Sequence, residues 1–433
     1  MPADGRVIGV RQRVHYAWVI AVVAFLTILG AAGFRSVPGV MMDPLHHEFG
    51  WSHATIGAAM SINMALFGLT APFAAALMDR LGIRPVVVGA LALIAAGTGL
   101  AVFMTDAWQL VLLWGVLVGL GTGALSTAFV ATIATRWFEA RRGLVTGVLT
   151  AASATGQLIF LPVVAGIADV HGWRSATLVV TAVAVAVIPL AGLFLRSWPA
   201  DLGIPPYGAD TVVAPVQENR NLFRVALGGL VLGARKPIFW LLAGSFAICG
   251  ATTNGLLQTH FIPAAGDHGM PATTAASLLA LIGVFDVAGT IASGWFTDRV
   301  DSRILLVIYY LGRGTALAVL PSLLSAETSP GIWVFILFYG LDWVATVPPT
   351  MALTRQQFGD ATPVVFGWIF AAHQLGAAVA AFGAGYIRDV SGGYDPAFYA
   401  AAGLCVVAAG LCWAVPRARE GVTSVGRVPS AVG

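Results

Sequence analysis

Four charged residues lie deep inside apolar stretches of the sequence, where a charge needs a partner or a task. They are Arg35, Asp286, Arg313 and Asp342. A charged side chain at the centre of a lipid bilayer costs roughly 2.5–3.5 kcal/mol on insertion scales. A guanidinium can bind a carboxylate through two parallel hydrogen bonds, and a buried carboxyl can take up and release a proton. These four positions are therefore the first candidates for binding a ligand or a proton.

Arg35 lies in the stretch FLTILGAAGFRSVPGVMM, with no acidic residue beside it. We interpret it as the residue that binds the anionic group of a substrate in a cavity of low dielectric constant. The alternative is a structural arginine near a helix end that reaches the outer interface, with Pro38 breaking the helix after it. Asp286 is then either the partner of Arg35 in the empty protein or a proton-coupling site. The structural alternative is a protonated carboxyl that is hydrogen-bonded within its own bundle.

Arg313 and Asp342 lie at similar depth in consecutive apolar stretches, which run antiparallel when both cross a membrane. This placement predicts a structural ion pair, because buried pairs usually satisfy each other. A role in substrate binding is the alternative.

Uncharged polar residues inside the apolar stretches form a second group of candidates. Asn254 and Gln258 share one face of a helix at a spacing of four. His373 suits either substrate binding or proton relay, since histidine titrates near neutrality, and a hydrogen-bonded core histidine is the alternative. His260 ranks lower because it lies nearer the outer end of its helix. The candidates for substrate binding are Arg35, Asn63, Gln157, Asn254, Gln258 and His373, with Gln374 beside the last of them.

The segments that carry these residues are predicted to cross a membrane. The chain of 433 residues is 58% hydrophobic and 10% charged, with a mean hydropathy of +0.85. Soluble domains are about one quarter charged, and about 20 apolar residues span a bilayer as a helix. Twelve such stretches predict an all-α membrane protein: 16–44, 53–78, 85–104, 108–135, 142–168, 174–195, 237–264, 272–297, 303–325, 330–354, 362–387 and 396–416.

The basic residues predict the orientation, since Lys and Arg stay in cytoplasmic loops. With both termini cytoplasmic, the external loops hold only Arg174 and Arg388. We therefore expect a multi-pass protein of the plasma (inner) membrane, with its first helix uncleaved. No basic cluster is interleaved with stacking aromatics, which argues against nucleic acid. The sequence has no nucleophile arrangement, phosphate loop or metal-ligand spacing, so we expect no enzyme activity, cofactor or metal.

The chain is a duplication. One short motif occurs twice with an offset of 219 positions, as Asp79, Arg80 and Arg84 and again as Asp298, Arg299 and Arg303. A second repeat has an offset of 220 positions, in which Gly147 corresponds to Gly367 and Asp169 to Asp389. Such self-similarity predicts two pseudo-symmetric six-helix bundles in parallel orientation. The bundles are predicted at 1–195 and 237–433, the second with a short cytoplasmic tail, joined by a polar cytoplasmic linker at 196–236. A site near the bilayer midplane between the bundles is then expected.

The segments AALMDRLGIR (75–84) and GWFTDRVDSR (294–303) resemble the loop motif of the major facilitator superfamily, with Ala75 in the glycine position of the first copy. RWFEARRGLVTGVLTAASATG (136–156) is similar to the fifth-helix motif of the monocarboxylate transporter branch. EFGWSHATIG and GWRSA also look like that branch. Asp286 matches the branch, whereas the arginine expected one turn later is Thr290. We expect the loop motif to act as a conformational gate, formed by Asp79, Arg80, Arg84, Asp298, Arg299 and Arg303.

Together these features predict a secondary active transporter that moves a small organic anion, a monocarboxylate, with a proton by alternating access. We expect a monomer in the lipid bilayer. The resemblance supplies the substrate class, and Arg35 with Asp286 supplies its physical rationale. The alternative is proton-driven efflux of an amphipathic compound, although the fifth helix reads GQLIFLP where drug antiporters of the superfamily show a glycine-proline motif. A membrane sensor is a third possibility, but the chain has no added soluble domain to signal with.

Overall fold

The computed structural model describes residues 15–212 and 222–417, and within these ranges the chain is helical with no β-strand. Eleven helices are long and apolar enough to cross a membrane. We number the helices in chain order as α1 Tyr16–Phe49, α2 His53–Leu81, α3 Ile83–Ala101, α4 Ala107–Trp137, α5 142–171, α6 173–194, α7 Pro237–Asp267, α8 Ala272–Thr297, α9 Ser302–Leu323, α10 Pro330–Phe358, α11 Thr362–Ser391 and α12 Asp395–Trp413.

The twelfth crossing comes from the longest helical stretch, Arg142–Phe194, which contains 53 residues. Gly172 interrupts it with φ 79° and ψ 162°, a conformation that residues with a side chain rarely adopt. The chain reverses there, so α5 and α6 are two separate crossings. The predicted all-α membrane fold with twelve transmembrane helices is confirmed.

The apolar side chains on the outside of the bundle agree with a membrane environment. Leu100, Leu193 and Val406, on α3, α6 and α12, are 54%, 63% and 60% exposed. Apolar surface on this scale is stable when lipid covers it.

The duplication is visible in the irregularities of the helices. In α4 the helical conformation breaks at Leu125 and Ser126, and in α10 it breaks at 343–346. These breaks occupy equivalent positions at the offset of 219 residues that the loop motifs show. Each break frees backbone groups for contacts with neighbouring helices.

The linker contains structure that the sequence did not predict. A short 3-10 helix forms at Pro199–Leu202, and a longer helix, which we call the linker helix, spans Leu222–Ala234. Trp368 of α11 donates a hydrogen bond from its indole nitrogen to the carbonyl oxygen of Ala226 (2.7 Å). The ring of Phe73 on α2 lies 5.2 Å from the ring of Phe223. The linker helix therefore contacts both bundles.

The two bundles meet tightly along α2 and α11. A methyl group built on Gly57 of α2 would lie 2.5 Å from the carbonyl oxygen of Ala381, and one built on Gly385 of α11 would lie 2.6 Å from that of His53. Only glycine allows backbones to approach so closely. We call the end of the molecule where α2 begins the His53 end. The opposite end, where α2, α4 and α8 finish, is the arginine-rich end.

Candidate substrate cavity

A narrow cavity of about 40 Å³ lies between the two bundles at mid-depth. The first bundle contributes side chains from α1, α2 and α4, and the second contributes side chains from α7 and α11. Its polar lining is made of neutral groups, and its remaining walls are apolar. The lining residues are Phe34, Pro38, Met60, Asn63, Met64, Phe67, Thr122, Asn254, Gln258 and Gln374.

The amides of the cavity have unused hydrogen-bonding capacity. Asn63 donates from Nδ2 to the carbonyl oxygen of Trp114 (2.8 Å), which orients its own amide oxygen. Gln258 has a buried Nε2 that finds no acceptor among the described residues. A buried donor without a partner costs about 1–3 kcal/mol. A ligand with an acceptor oxygen would remove that cost, so Gln258 is suited to bind one.

Arg35 lies on the segment of α1 that borders this cavity. The residue before it, Phe34, and Pro38 three positions later both line the wall. The side chain of Arg35 itself lies outside the described part of the structure. Pro38 does not end the helix, because α1 continues through it to Phe49. The structural alternative, in which a proline break puts Arg35 at a helix end, is wrong on this point.

The other predicted substrate residues differ in position. Asn63, Asn254 and Gln258 line the cavity. Gln157 is half-buried on α5 and does not belong to this lining.

His373 lies behind the cavity wall. It is buried on α11, its ring stacks parallel to that of Phe370 (3° between the planes), and the ring of Phe246 lies 4.7 Å away. Its Nδ1 has no hydrogen-bond partner among the described residues. The next residue, Gln374, reaches the cavity. His373 therefore does not belong to the lining of the cavity, although it is adjacent to Gln374 in the sequence.

Arg313 and Asp342 form an ion pair inside the second bundle. Arg313 is fully buried and donates from Nε to Asp342 Oδ2 (2.6 Å). Its other nitrogens donate to Cys249 Sγ (2.9 Å) and to the carbonyl oxygen of Asp342 (2.7 Å). The pair thus joins α9, α10 and α7, as expected of a structural contact. Asp342 Oδ1 is buried without a partner among the described residues.

Asp286 is positioned by the break in α10. Its Oδ1 accepts hydrogen bonds from the backbone N–H of Val344 (3.0 Å) and from Thr290 Oγ1 (3.0 Å). Thr290, which stands where the branch resemblance implies an arginine, therefore serves as a neutral donor to the carboxylate. These contacts of Asp286 lie within the second bundle.

At the arginine-rich end the two copies of the loop motif make different contacts. Asp79 pairs with Arg136 at the end of α4, and the Arg136 guanidinium lies 4.2 Å from the centre of the Trp198 ring. In the second copy Arg303 binds Asp301 instead and donates to the carbonyl oxygen of Val415 (3.1 Å). These hydrogen bonds from Arg303 hold the pKa of Asp301 below its usual range.

The remaining residues of the predicted gate lie at the surface. Arg80 and Asp298 are exposed, and Arg299 stacks on Trp295, with 3.9 Å between its guanidinium and the ring centre. Arg84 is also exposed. The sequence did not identify Arg136 as the partner of Asp79, because the two residues are 57 positions apart.

The sequence also missed a polar cluster that closes the His53 end. Asp389 of α11 accepts hydrogen bonds from the backbone N–H groups of His53 (3.1 Å) and Ala54 (2.8 Å) at the start of α2. The sequence did single out Asp389, because it corresponds to Asp169 in the internal repeat. The pattern did not show which helix the carboxylate would reach.

Comparisons with known proteins agree on the family. The model of the Major Facilitator Superfamily matches residues 23–381. An uncharacterized MFS-type transporter, YcxA of Bacillus subtilis, is 23% identical over 87% of this chain and 90% of its own length. Monocarboxylate transporter 13 of Bos taurus is 26% identical over 93% of this chain and 89% of its own length.

Solved structures support the same fold. The partially occluded inward-open xylose transporter XylE of E. coli superposes with a TM-score of 0.69 at 14% identity, over 93% of this chain and all of that one. A D-xylose-proton symporter gives a TM-score of 0.71 at 16% identity, over 94% of this chain and all of that one. The chain therefore belongs to the major facilitator superfamily, and it is a membrane transporter rather than an enzyme.

Proposed function

We propose that this protein carries a small organic anion, a monocarboxylate, across the membrane together with a proton. The observation that carries the proposal is the cavity between the bundles, which has neutral amide donors and borders the segment of α1 that bears Arg35. Relatives named as monocarboxylate transporters match over 93% of this chain. Their name supports the substrate class.

The chemistry of the cavity suits a small anion with an apolar body. Arg35 would bind the carboxylate by two hydrogen bonds, which a single point charge does not reproduce. Gln258 Nε2 is a donor without an acceptor among the described residues, and Phe34 and Phe67 give apolar surface to the rest of the molecule. Small-molecule sites combine a mostly apolar lining with few polar groups in this way.

Asp286 is our proposed proton-coupling residue, with His373 as the next candidate. The carboxylate is held by two neutral donors, so it can lose or gain a proton without breaking an ion pair of its own. Its protonation would alter the bond to Val344 at the break in α10. Such a bond links proton binding to the position of the outer half of that helix.

We further propose that the arginine-rich end is cytoplasmic, together with both termini, in the plasma membrane. The cavity is then closed towards the outside by the contacts of Gly385 and Asp389 with the start of α2. The Asp79 and Asp298 loops would control opening towards the cytoplasm.

Uptake of labelled monocarboxylates into proteoliposomes, with and without an inward proton gradient, tests this function. We expect gradient-driven accumulation by the wild type. Arg35→Lys keeps the charge and loses the two-pronged geometry, so uptake should fall by about tenfold or more while expression stays normal. Arg235→Lys, at an exposed position of the linker, is the matched control. Equal uptake by the wild type, Arg35→Lys and Arg35→Ala would refute the role of Arg35.

The same vesicles test the coupling. Asp286→Asn mimics a protonated carboxyl, so exchange of internal for external substrate should survive while gradient-driven net uptake falls sharply. Wild-type accumulation by Asp286→Asn would exclude Asp286 and make His373 the next residue to test. Extrusion of an amphipathic compound without any anion uptake would favour the efflux alternative.

A further inference from the structure

One carboxylate joins the two bundles at the His53 end. Asp389 belongs to α11, and its two oxygens accept from the first two backbone N–H groups of α2, those of His53 (3.1 Å) and Ala54 (2.8 Å). The first N–H groups of a helix have no partner within the helix and carry partial positive charge. Asp389 therefore caps a helix of the opposite bundle, and separation of the bundles at this end must break the cap.

The side chain of His53 lies between this carboxylate and a second one. Its Nδ1 is 3.1 Å from Asp389 Oδ1, and its Nε2 is 3.7 Å from Asp43 Oδ1 on α1. A neutral imidazole has one N–H and no charge, whereas the protonated ring carries an N–H on both sides and attracts both carboxylates. The His53 side chain is only 7% exposed, so the ring is largely shielded from water.

The charged neighbours on α1 and α11 already have other partners. Arg388 makes two hydrogen bonds to Asp267 at the end of α7 (2.7 and 2.8 Å). Glu48 binds Arg174. Asp267 and Glu48 are therefore each paired with an arginine, whereas the ion pairs that Asp43 and Asp389 make among the described residues are those with His53.

The other histidines near His53 have contacts of their own. His46 has its ring 4.5 Å from that of His53 and its Nδ1 2.7 Å from the carbonyl oxygen of Trp51. His260 is fully buried, with Nε2 2.8 Å from the carbonyl oxygen of Ala381 and Nδ1 3.2 Å from the hydroxyl of Tyr394. His47 is exposed beside His46.

We propose that His53 is a proton-binding site at the junction of the bundles and that the bound proton stabilises the conformation closed at the His53 end. The inference rests on the alternating-access part of the proposed function and not on substrate or proton coupling. In the closed conformation the charged ring bridges Asp43 and Asp389. When the bundles separate, Asp389 moves away with α11 and the bridge is lost. Because binding and conformation are linked, protons shift the carrier towards the closed state.

Distance measurement between spin labels tests the inference on the full chain in lipid nanodiscs, without substrate or gradient. Val170→Cys and Thr328→Cys place the labels on exposed residues at the His53 end, one on each bundle. Cys249, Cys405 and Cys412 are buried, and the chain without introduced cysteines controls for their labelling. Between pH 5.5 and 8.5 the ratio of closed to open molecules should fall by about tenfold, within the usual range of such couplings.

His53→Gln keeps a donor amide and removes the titration of this site, so most of the change of the distance distribution with pH should be lost. Asp43→Asn removes one side of the bridge and should reduce the pH response, and it provides a second reading should His53→Gln fail to fold. His47→Gln removes an exposed histidine at the same end and should respond to pH as the wild type does. A wild type without pH response, or a His53→Gln variant that keeps the full response, would overturn the proposal.

The spin-label experiment and the transport assay can fail independently of each other. A pH response that depends on His53, in a carrier whose uptake ignores the proton gradient, would refute proton coupling and leave this site in place. Proton-driven uptake by a carrier whose spin labels report no pH response would support proton coupling and refute the proposed role of His53.

Discussion

The two ends of the molecule are held together by different kinds of contact. At the His53 end, polar bonds join one bundle to the other, through Asp389 and the start of α2. At the arginine-rich end, the described ion pairs Asp79–Arg136 and Asp301–Arg303 each lie within a single bundle. Contacts that cross between bundles must break when the bundles separate, whereas contacts within one bundle can persist through that movement. The comparison thus predicts different effects for variants at the two kinds of contact.

Individual glycines differ in the space around them. Gly57 and Gly385 have no room for a side chain at the junction of α2 and α11. Gly143 and Gly147 at the start of α5, and Gly294 near the end of α8, have open space within 4 Å of the position that a methyl group would take. These three glycines could therefore accept a methyl group, whereas Gly57 and Gly385 could not.

The largest effect should come from a contact within a bundle. Arg313→Met leaves Asp342 as a buried charge without its partner, which costs about 3–5 kcal/mol of stability. Thermal unfolding of the purified protein in detergent measures the loss. The double variant Arg313→Met/Asp342→Leu should recover much of it, because an apolar pair of similar volume often replaces a buried ion pair without loss. A single variant as stable as the wild type would show that the pair is not structural.

A smaller effect on stability, with a large effect on conformation, is expected at the junction. Gly385→Ala places a methyl group 2.6 Å from the carbonyl oxygen of His53, so the His53 end can no longer close fully. The spin labels at 170 and 328 should report an increase of about tenfold in open molecules, equal to about 1.4 kcal/mol. Gly383→Ala lies on the same helix with open space around it and is the matched control. Equal distance distributions for Gly385→Ala and Gly383→Ala would show that the close contact at Gly385 does not control closure of the His53 end.

The smallest effect should distinguish the two copies of the loop motif. Asp79→Asn weakens the pair with Arg136 and should shift the balance of conformations by less than about 1 kcal/mol, since the Asp79 side chain is half-exposed. Asp298→Asn changes an exposed residue without an ion pair among the described residues and should shift it less. Conformation-specific cysteine labelling gives both populations. Unchanged populations in Asp79→Asn would argue against its role as a gate.

Much of the fold could be predicted because its signals are local. Runs of about 20 apolar residues predict helices that cross a bilayer, and the repeat of Asp79, Arg80 and Arg84 indicates two similar bundles. The linker helix at Leu222–Ala234 was missed, since the polar and proline-rich segment before it dominated the interpretation. The predicted span 16–44 already ran through Pro38, and α1 does continue through it to Phe49, because helices packed by neighbours tolerate proline inside a membrane.

The candidate site was predictable in part. Asn63, Asn254 and Gln258 were proposed as polar residues inside apolar helices, and they line the cavity. Their residue type alone was informative, since an amide in lipid needs a partner. Gln157 fits the same argument and does not line the cavity, because the face that it occupies depends on how α5 packs.

The sequence by itself determined the membrane environment, the twelve crossings and the duplication, since each follows from composition and periodicity along one chain. Only the tertiary structure decided which distant residues meet. In the folded protein Asp79 pairs with Arg136, and Asp286 accepts a hydrogen bond from the backbone of α10. Asp389 and Asp43 lie on the two sides of His53. The reason is physical: a hydrogen bond extends about 3 Å, and its partner is set by helix packing and not by separation along the chain.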